Sequence, residues 1–342
     1  MGHTKIRKVI TLGEKLRWGI MGCAQIATGS VMPAIQESET GVIRAVASRG
    51  LTKSSSVAAE FGIEQAYGSY EELLADPEVD AVYIPLPNHL HCEWVIRAAE
   101  AGKHILCEKP IALNSREAAE MVEACRKAGV HLAEAYMYRH HPRINELQVI
   151  IASGEIGAVR SIRGTFTYND ATDTSNIRFN AAWGGGSLYD VGCYPLTAAR
   201  LLFGTEPEAV TVHALFSPEH DNVDMVASGL VEFPGGKSLI FDCGMWAYNR
   251  QLLEVLGTQG RIEIPMPFNA RFDDAEFFVY GGGEPRRVEA VGANPYVQQA
   301  DHFARAVFSG KPWIAEEDPL LNMRLIESCL ESARRRERIR LR

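Results

Sequence analysis

The chain has 342 residues, 46% of them hydrophobic and 23% charged, which suits a soluble globular protein too long for one ordinary core, so two domains are expected. A formal net charge of −8 opposes phosphate backbones and argues against a nucleic-acid partner. No run approaches the ~18 apolar residues needed to span a bilayer, and seven cysteines without a CxxC pair speak against a disulfide framework or a zinc ribbon, a reduced and cytoplasmic pattern.

Residues 1–14 read as a leader. An apolar strand over 16–22 ends in glycine and is followed by a helix over 24–35, then a strand over 42–48 and a helix over 54–61 closed by Gly62. The apolar strand over 81–84 is stopped by Pro85 and Pro87. A helix over 91–101 ends at Gly102, a strand occupies 104–107, a helix over 115–128 ends at Gly129, and a strand follows over 130–135. This alternation predicts an α/β dinucleotide-binding (Rossmann) domain over 15–137, with a parallel sheet and right-handed crossovers. From 138 to 342 the texture changes. Strand-like runs over 158–168, 208–216, 225–233, 237–245, 251–256 and 261–264 predict an α+β domain with a large, mostly antiparallel sheet for substrate and oligomerisation. Helices over 187–203, 296–308 and 319–338 are expected on one face of it. The uncovered face is expected to pack on a second copy. The basic run Arg334-Arg335-Arg336-Glu337-Arg338 reads as the solvated end of the last helix, where cations suit the dipole.

The first turn, Gly22-Cys23-Ala24-Gln25-Ile26-Ala27, is a degenerate form of G-x-G-x-x-G with alanine at the second and third positions. Small residues are needed there because backbone N–H groups must approach a pyrophosphate at the helix N-terminus. At the end of the second strand an NAD binder carries a carboxylate for the ribose diol. Here Ser48, Arg49 and Lys53 take that place, and a hydroxyl with two cations favours the 2′-phosphate of NADP, with NAD as the alternative. The loop Leu86-Pro87-Asn88 lies at the carboxyl end of the third long strand, where open α/β sheets bind ligands. Asn88 either caps the next helix or touches the cofactor, and His91 is a packed histidine or a cofactor neighbour. No set of ligands lies at metal-site spacing.

Glu108-Lys109-Pro110 ends the next strand, and the proline restricts the lysine backbone so that its ammonium is aimed. Asp190 and Tyr194, four apart in a segment of helical composition, project from one face, and Gly192 and Pro195 are expected to kink that helix. Tyr194 is either a core aromatic or an acid–base group. A phenol near pKa ~10 is a poor base, but a cation ~4 Å away stabilises phenolate by roughly 4 kcal/mol at an effective dielectric of ~20. Lys109 is therefore expected to bring Tyr194 into a useful range.

With these residues in place, the chain resembles the glucose-fructose oxidoreductase / inositol dehydrogenase (Gfo/Idh/MocA) family. The resemblance runs from Leu16 onward through GIMGCAQIA, PLPNHLH, CEKP, AEAYMYRHHP, GGGSLYDVGCYP and VLGTQGRIE. Many members have histidine where Tyr194 stands. Tyrosine, with Ile177-Arg178-Phe179 ahead of the glycines, is similar to the branch holding glucose-fructose oxidoreductase, dimeric dihydrodiol dehydrogenase and NADP-dependent xylose dehydrogenase. The resemblance implies a homodimer or homotetramer and a sugar or polyol substrate. It makes Lys109, Tyr194 and Asp190 the catalytic set, with Asp190 binding substrate hydroxyls, and Tyr136, Arg139, His141, Asn176 and Arg178 the expected pocket liners. Glycoside hydrolysis or sugar-to-sugar oxidoreduction on a retained nicotinamide is the rival activity.

Overall fold

The computed structural model describes residues 15–173, 176–269 and 275–341; the expected leader lies outside them. The dinucleotide-type half runs β1 (Leu16–Met21), α1 (Met32–Glu37), β2 (Gly41–Ala47), α2 (Leu51–Phe61), β3 (Gln65–Tyr67), α3 (Tyr70–Ala75), β4 (Ala81–Ile84), α4 (His91–Glu100), β5 (His104–Cys107), α5 (Ser115–Ala128) and β6 (Leu132–Glu134). Its six strands are parallel in the order β3-β2-β1-β4-β5-β6. The order reverses between β1 and β4, which opens a crevice at their carboxyl ends for a ligand. β4 is buried at every position, as a parallel strand covered on both faces must be. The short β3 and α3 were not anticipated, because three residues of strand and six of helix carry too little periodicity.

The second half runs α6 (Pro142–Ser153), β7 (Val159–Asn169), α7 (Cys193–Phe203), β8 (Ala209–Ser217), β9 (Val223–Phe233), β10 (Lys237–Gly244), β11 (Trp246–Gly257), β12 (Arg261–Pro265), β13 (Glu276–Tyr280), β14 (Arg286–Glu289), α8 (Pro295–Ser309), α9 (Asp318–Arg335) and β15 (Ile339–Arg340). Its nine strands form one sheet in the order β14-β13-β12-β11-β7-β10-β9-β8-β15. All pairings are antiparallel except β10 with β7.

One helix departs from expectation. α8 does not cover the second sheet: Ala300, Phe303 and Ala304 pack into the core beneath β1 and α1, with the Phe303 ring 5.1 Å from that of Trp18. Burying Phe303 and Trp18 is worth about 2–3 kcal/mol each, enough to hold the last third of the chain against the first. A polar seam adds to this. Arg139 and Arg200 both pair with Asp318, at 2.7 and 2.9 Å, while Asn322 donates to Glu134 at 2.8 Å. The outer face of the second sheet keeps Leu215, Leu230 and Ile240 exposed.

Candidate active site

Gly22 follows β1 at φ 115°, and a Cβ there would lie 3.1 Å from Leu86 Cδ2, so only glycine lets the turn pass beneath the β4 loop. The next helix opens at Gln25, and Ala24, Gln25 and Ile26 line the cleft at its start, where the first N–H groups of a helix have no helical partners. Ala27, at the third small position, is fully buried against the sheet. Such a turn fits a pyrophosphate. Ser48 and Lys53 lie beside Cys23 of this turn, and Arg49 acts on the neighbouring Tyr70 hydroxyl. Burial raises the Cys23 thiol pKa while Lys53 and the Ser48 hydroxyl oppose that, which places the lysine and the hydroxyl next to the turn.

Leu86, Pro87 and Asn88 line the cleft. His91 does not. It is fully buried with its ring nitrogens 2.8 Å from Leu86 O and 3.0 Å from Pro110 O, tying the β4 and β5 loops together, so its cofactor assignment is replaced by packing. Glu108 accepts from Tyr83 Oη at 2.6 Å and from Lys109 N at 3.3 Å. The Lys109–Pro110 peptide bond is cis.

At the floor of the cleft Lys109 Nζ donates to Asp190 O at 2.6 Å and lies 3.2 Å from Asp190 Oδ1, and it stands 5.0 Å from the centre of the Tyr194 ring. Residues Leu188–Gly192 form a π-turn that runs straight into α7, rather than the expected kink. Pro195 has no N–H for the carbonyl four residues back, which suits the change of pitch. Asp190 and Tyr194 both reach the cleft. Burial would raise the Asp190 carboxyl, but Lys109, Arg178 and the Tyr168 hydroxyl overcome it and hold the group well below its usual range. Lys109 loses some charge preference to burial and regains more from Tyr194 and Asp190, so its pKa is raised.

Tyr194 behaves differently from the expectation of an activated phenolate. Its ring is 6% exposed and ringed by Tyr136, Tyr138, Phe166 and Phe268 at 5.3–5.9 Å. Burial pushes its pKa up, and the opposing pull of Lys109 does not cancel that. At neutral pH the phenol therefore stays protonated even with the Lys109 ammonium above its ring.

Four expected pocket liners sit elsewhere. Arg139 is buried in its pair with Asp318, and His141 caps α6 by accepting from Arg143 N at 3.2 Å. Tyr136 packs edge-on beneath Tyr194, and Asn176 accepts from Arg178 N while donating to Asp170. All four shape the surroundings of the cleft without facing it, because side chains next to the motif follow the packing and not the motif. Arg178 does line the cleft and pairs with Asp190 at 3.0 Å.

The glycine run earns its place through Asp224. Gly186 has φ 123°, and a Cβ there would fall 2.1 Å from Asp224 Oδ1. That carboxylate accepts from Ser187 Oγ at 2.8 Å and Leu188 N at 2.7 Å, anchoring the start of the turn that carries Asp190. Burial lifts its pKa to about 6.

Several cleft residues were missed from sequence. Tyr168 on β7 donates to Asp190 Oδ2 at 2.6 Å. Trp183 stacks on His89 with centroids 5.0 Å apart, and Asn88 Nδ2 donates to Gly184 O at 3.0 Å, so the segment before α7 ties across the mouth. Asn249 and Gln251 line the same cleft, of about 1370 Å³. Alternation along β7 and β11 was the available signal for Tyr168, Asn249 and Gln251. Among the described residues no group of three or more His, Cys, Asp or Glu could hold a metal ion.

The parallel six-stranded half with this turn is joined to a half whose nine-stranded sheet carries α7 and brings Tyr194 to Lys109. Residues 16–136 match the family described as oxidoreductase family, NAD-binding Rossmann fold, and residues 144–263 match the GFO/IDH/MocA C-terminal domain. The chain belongs to the GFO/IDH/MocA oxidoreductase family. It is 40% identical to D-xylose 1-dehydrogenase (NADP(+)) 2 of Haloferax volcanii, over 93% of this chain and 97% of that one. The aldose-aldose oxidoreductase from Caulobacter crescentus, solved with glycerol, superposes with a TM-score of 0.89 at 30% identity, covering 96% of this chain and all of that one. KijD10, a 3-ketoreductase from Actinomadura kijaniata solved with NADP and TDP-benzene, superposes with a TM-score of 0.87 at 30% identity, covering 93% and 98%. These relatives fall in the branch that the tyrosine suggested.

Proposed function

We propose that this oxidoreductase transfers a hydride between the nicotinamide of NADP and a carbinol or carbonyl carbon of a sugar or cyclic polyol, with Tyr194 as the proton-transfer residue and Lys109 as its partner. The observation that carries this reading is the Lys109 ammonium held between Asp190 and the Tyr194 ring at the end of β5, on the floor of the cleft. When bound, the nicotinamide supplies or accepts the hydride. A buried, protonated Tyr194 donates its proton to the developing alkoxide in reduction, and Lys109 stabilises the phenolate left behind. In the oxidative direction the phenolate must form first, so the rate rises with pH. Asp190 keeps Lys109 in place. Its oxygens are met by Lys109, Arg178 and Tyr168, so holding substrate hydroxyls is not its main task. The names of the relatives, which include an NADP-dependent xylose dehydrogenase, support a sugar substrate and NADP.

A second reading is sugar-to-sugar oxidoreduction or glycoside hydrolysis on a retained cofactor. The Trp183–His89 stack and the Asn88–Gly184 bond favour it, since both must part for a cofactor to pass that edge. NADPH absorbance separates the two readings, because a dehydrogenase consumes free cofactor one for one. Lys109→Met and Tyr194→Phe are each expected to lower kcat by about 10²–10³-fold in assays with NADP and with NAD. Turnover within tenfold of wild type in both folded variants rules the proton-transfer assignment out. We also propose a homodimer through the face that exposes Leu215, Leu230 and Ile240. Sedimentation equilibrium that finds only monomer at micromolar concentration removes that proposal.

A further inference from the structure

Resting on the hydride-transfer reading, we infer that Asn249 and Gln251 on β11 read the hydroxyls of the substrate, which is a neutral polyhydroxylated ring. The charged groups around the cleft floor are already engaged. Asp190 is held by Lys109, Arg178 and Tyr168; Asp170 accepts from Asn176; Glu108 accepts from Tyr83. Recognition therefore falls to neutral groups with donors and acceptors of their own.

The strand register puts two such groups beside the reacting centre. On β7, Phe166 lies 5.3 Å from the Tyr194 ring, and its cross-strand partner on β11 is Gln251. Side chains of directly opposed residues start roughly 5 Å apart on one face. Asn249, two residues earlier, also lines the cleft, at the irregularity where the pairing skips from Arg250 to Trp246. Leu253 and Val255 continue the face into the core, so the carboxamides occupy positions where the alternation would otherwise place apolar side chains. Gln251 Oε1 accepts from Asn269 N at 3.2 Å, which fixes the rotation of its amide.

A carboxamide offers two donors and a carbonyl acceptor, matching a hydroxyl that both gives and accepts a bond, whereas a phosphate only accepts. A ring whose reacting carbinol meets Tyr194 has its remaining hydroxyls one strand away from that phenol. Replacing either amide by a leucine side chain leaves substrate hydroxyls unpaired, the situation that discriminates most strongly against a polar ligand.

The test is calorimetric binding to the NADP-loaded protein, with D-xylose, D-glucose and myo-inositol as probes and the tightest of them carried forward. Asn249→Leu and Gln251→Leu are each expected to weaken its binding at least tenfold, with the change in KM exceeding that in kcat. For each variant the penalty shrinks to less than threefold with the monodeoxy analogue that lacks the hydroxyl being read. Equal penalties for the parent sugar and all its monodeoxy analogues overturn the inference. So does wild-type binding of none of the three probes, or tighter binding of TDP-glucose than of all of them. Binding without turnover leaves this inference standing while defeating the hydride-transfer reading, so the two failures are distinguishable. Retained circular dichroism shows that the leucine variants fold.

Discussion

The two walls of the cleft are built from different material. The dinucleotide side is built from short backbone turns: the turn after Gly22, the Pro85-Leu86-Pro87 loop, and the end of β5, from which the Lys109 side chain reaches in. The facing side presents side chains gathered from distant places: Tyr168 from β7, Asn249 and Gln251 from β11, Arg178 from the segment before α7. A backbone wall is specified by short local patterns that must keep their spacing. A side-chain wall depends on the register between strands about 80 residues apart, and it is free to vary while the fold persists. The first can serve a common cofactor and the second a particular substrate.

The largest effect is expected where the second wall borrows the logic of the first. Gly186→Ala places a Cβ at φ 123° and 2.1 Å from Asp224 Oδ1, so either the backbone or the carboxylate must move. Strain and the lost anchor together are expected to cost about 3 kcal/mol or more, with kcat falling at least a hundredfold as Asp190 shifts. Gly204→Ala is the control, since that position is also left-handed, at φ 64°, but has open space around it. It should cost only about 1 kcal/mol. Urea unfolding of the two variants decides this, and similar losses in both show that the close approach to Asp224 is not what the glycine serves.

This contrast also explains what could be read from sequence. The βαβ order, the glycine turn after β1 and the meeting of Lys109 with Asp190 and Tyr194 were legible, because each depends on periodicity or on a motif whose residues must stay together. The coverage by α8 was not: its apolar stripe shows that it packs, not on which domain, and Phe303 found Trp18. Arg139 and His141 were misplaced for a related reason. They follow a motif strand closely, yet a partner 179 residues away, Asp318, turns the arginine into a structural tie. Tyr168 was passed over because a tyrosine in a strand reads as packing until Asp190 is placed beside it.

A smaller effect probes the side-chain wall directly. Tyr168→Phe removes one donor from Asp190 and leaves Lys109 and Arg178 on it. A bond to an ionised acceptor is worth about 1.5–3 kcal/mol, so kcat/KM is expected to fall roughly tenfold or more. The less satisfied carboxylate competes harder for Lys109, which leaves less positive charge to stabilise the Tyr194 phenolate. The pH of half-maximal oxidation therefore moves upward while the KM for NADP stays within twofold. Loss of activity with an unmoved pH profile would mean that Tyr168 only supports the local packing.

The smallest effect concerns the seam that joins the two walls behind Lys109. Glu134 accepts from Ile111 N at 3.0 Å and from Asn322 Nδ2 at 2.8 Å, and burial raises its pKa from 4.5 to about 7. The folded state therefore binds a proton there more tightly than the unfolded chain does. Its contribution to stability is fully present below about pH 4.5 and is lost as the pH rises to about 7, a difference of at most roughly 3 kcal/mol. Glu134→Gln removes the titration and turns one amide donor toward groups that already donate, a cost of about 1 kcal/mol at every pH. Urea unfolding at pH 5 and pH 7.5 should show the variant losing at least 1 kcal/mol less than wild type between the two. Parallel losses in both proteins would mean that Glu134 stays ionised throughout, held by Arg139 and Asn322 more strongly than its burial opposes.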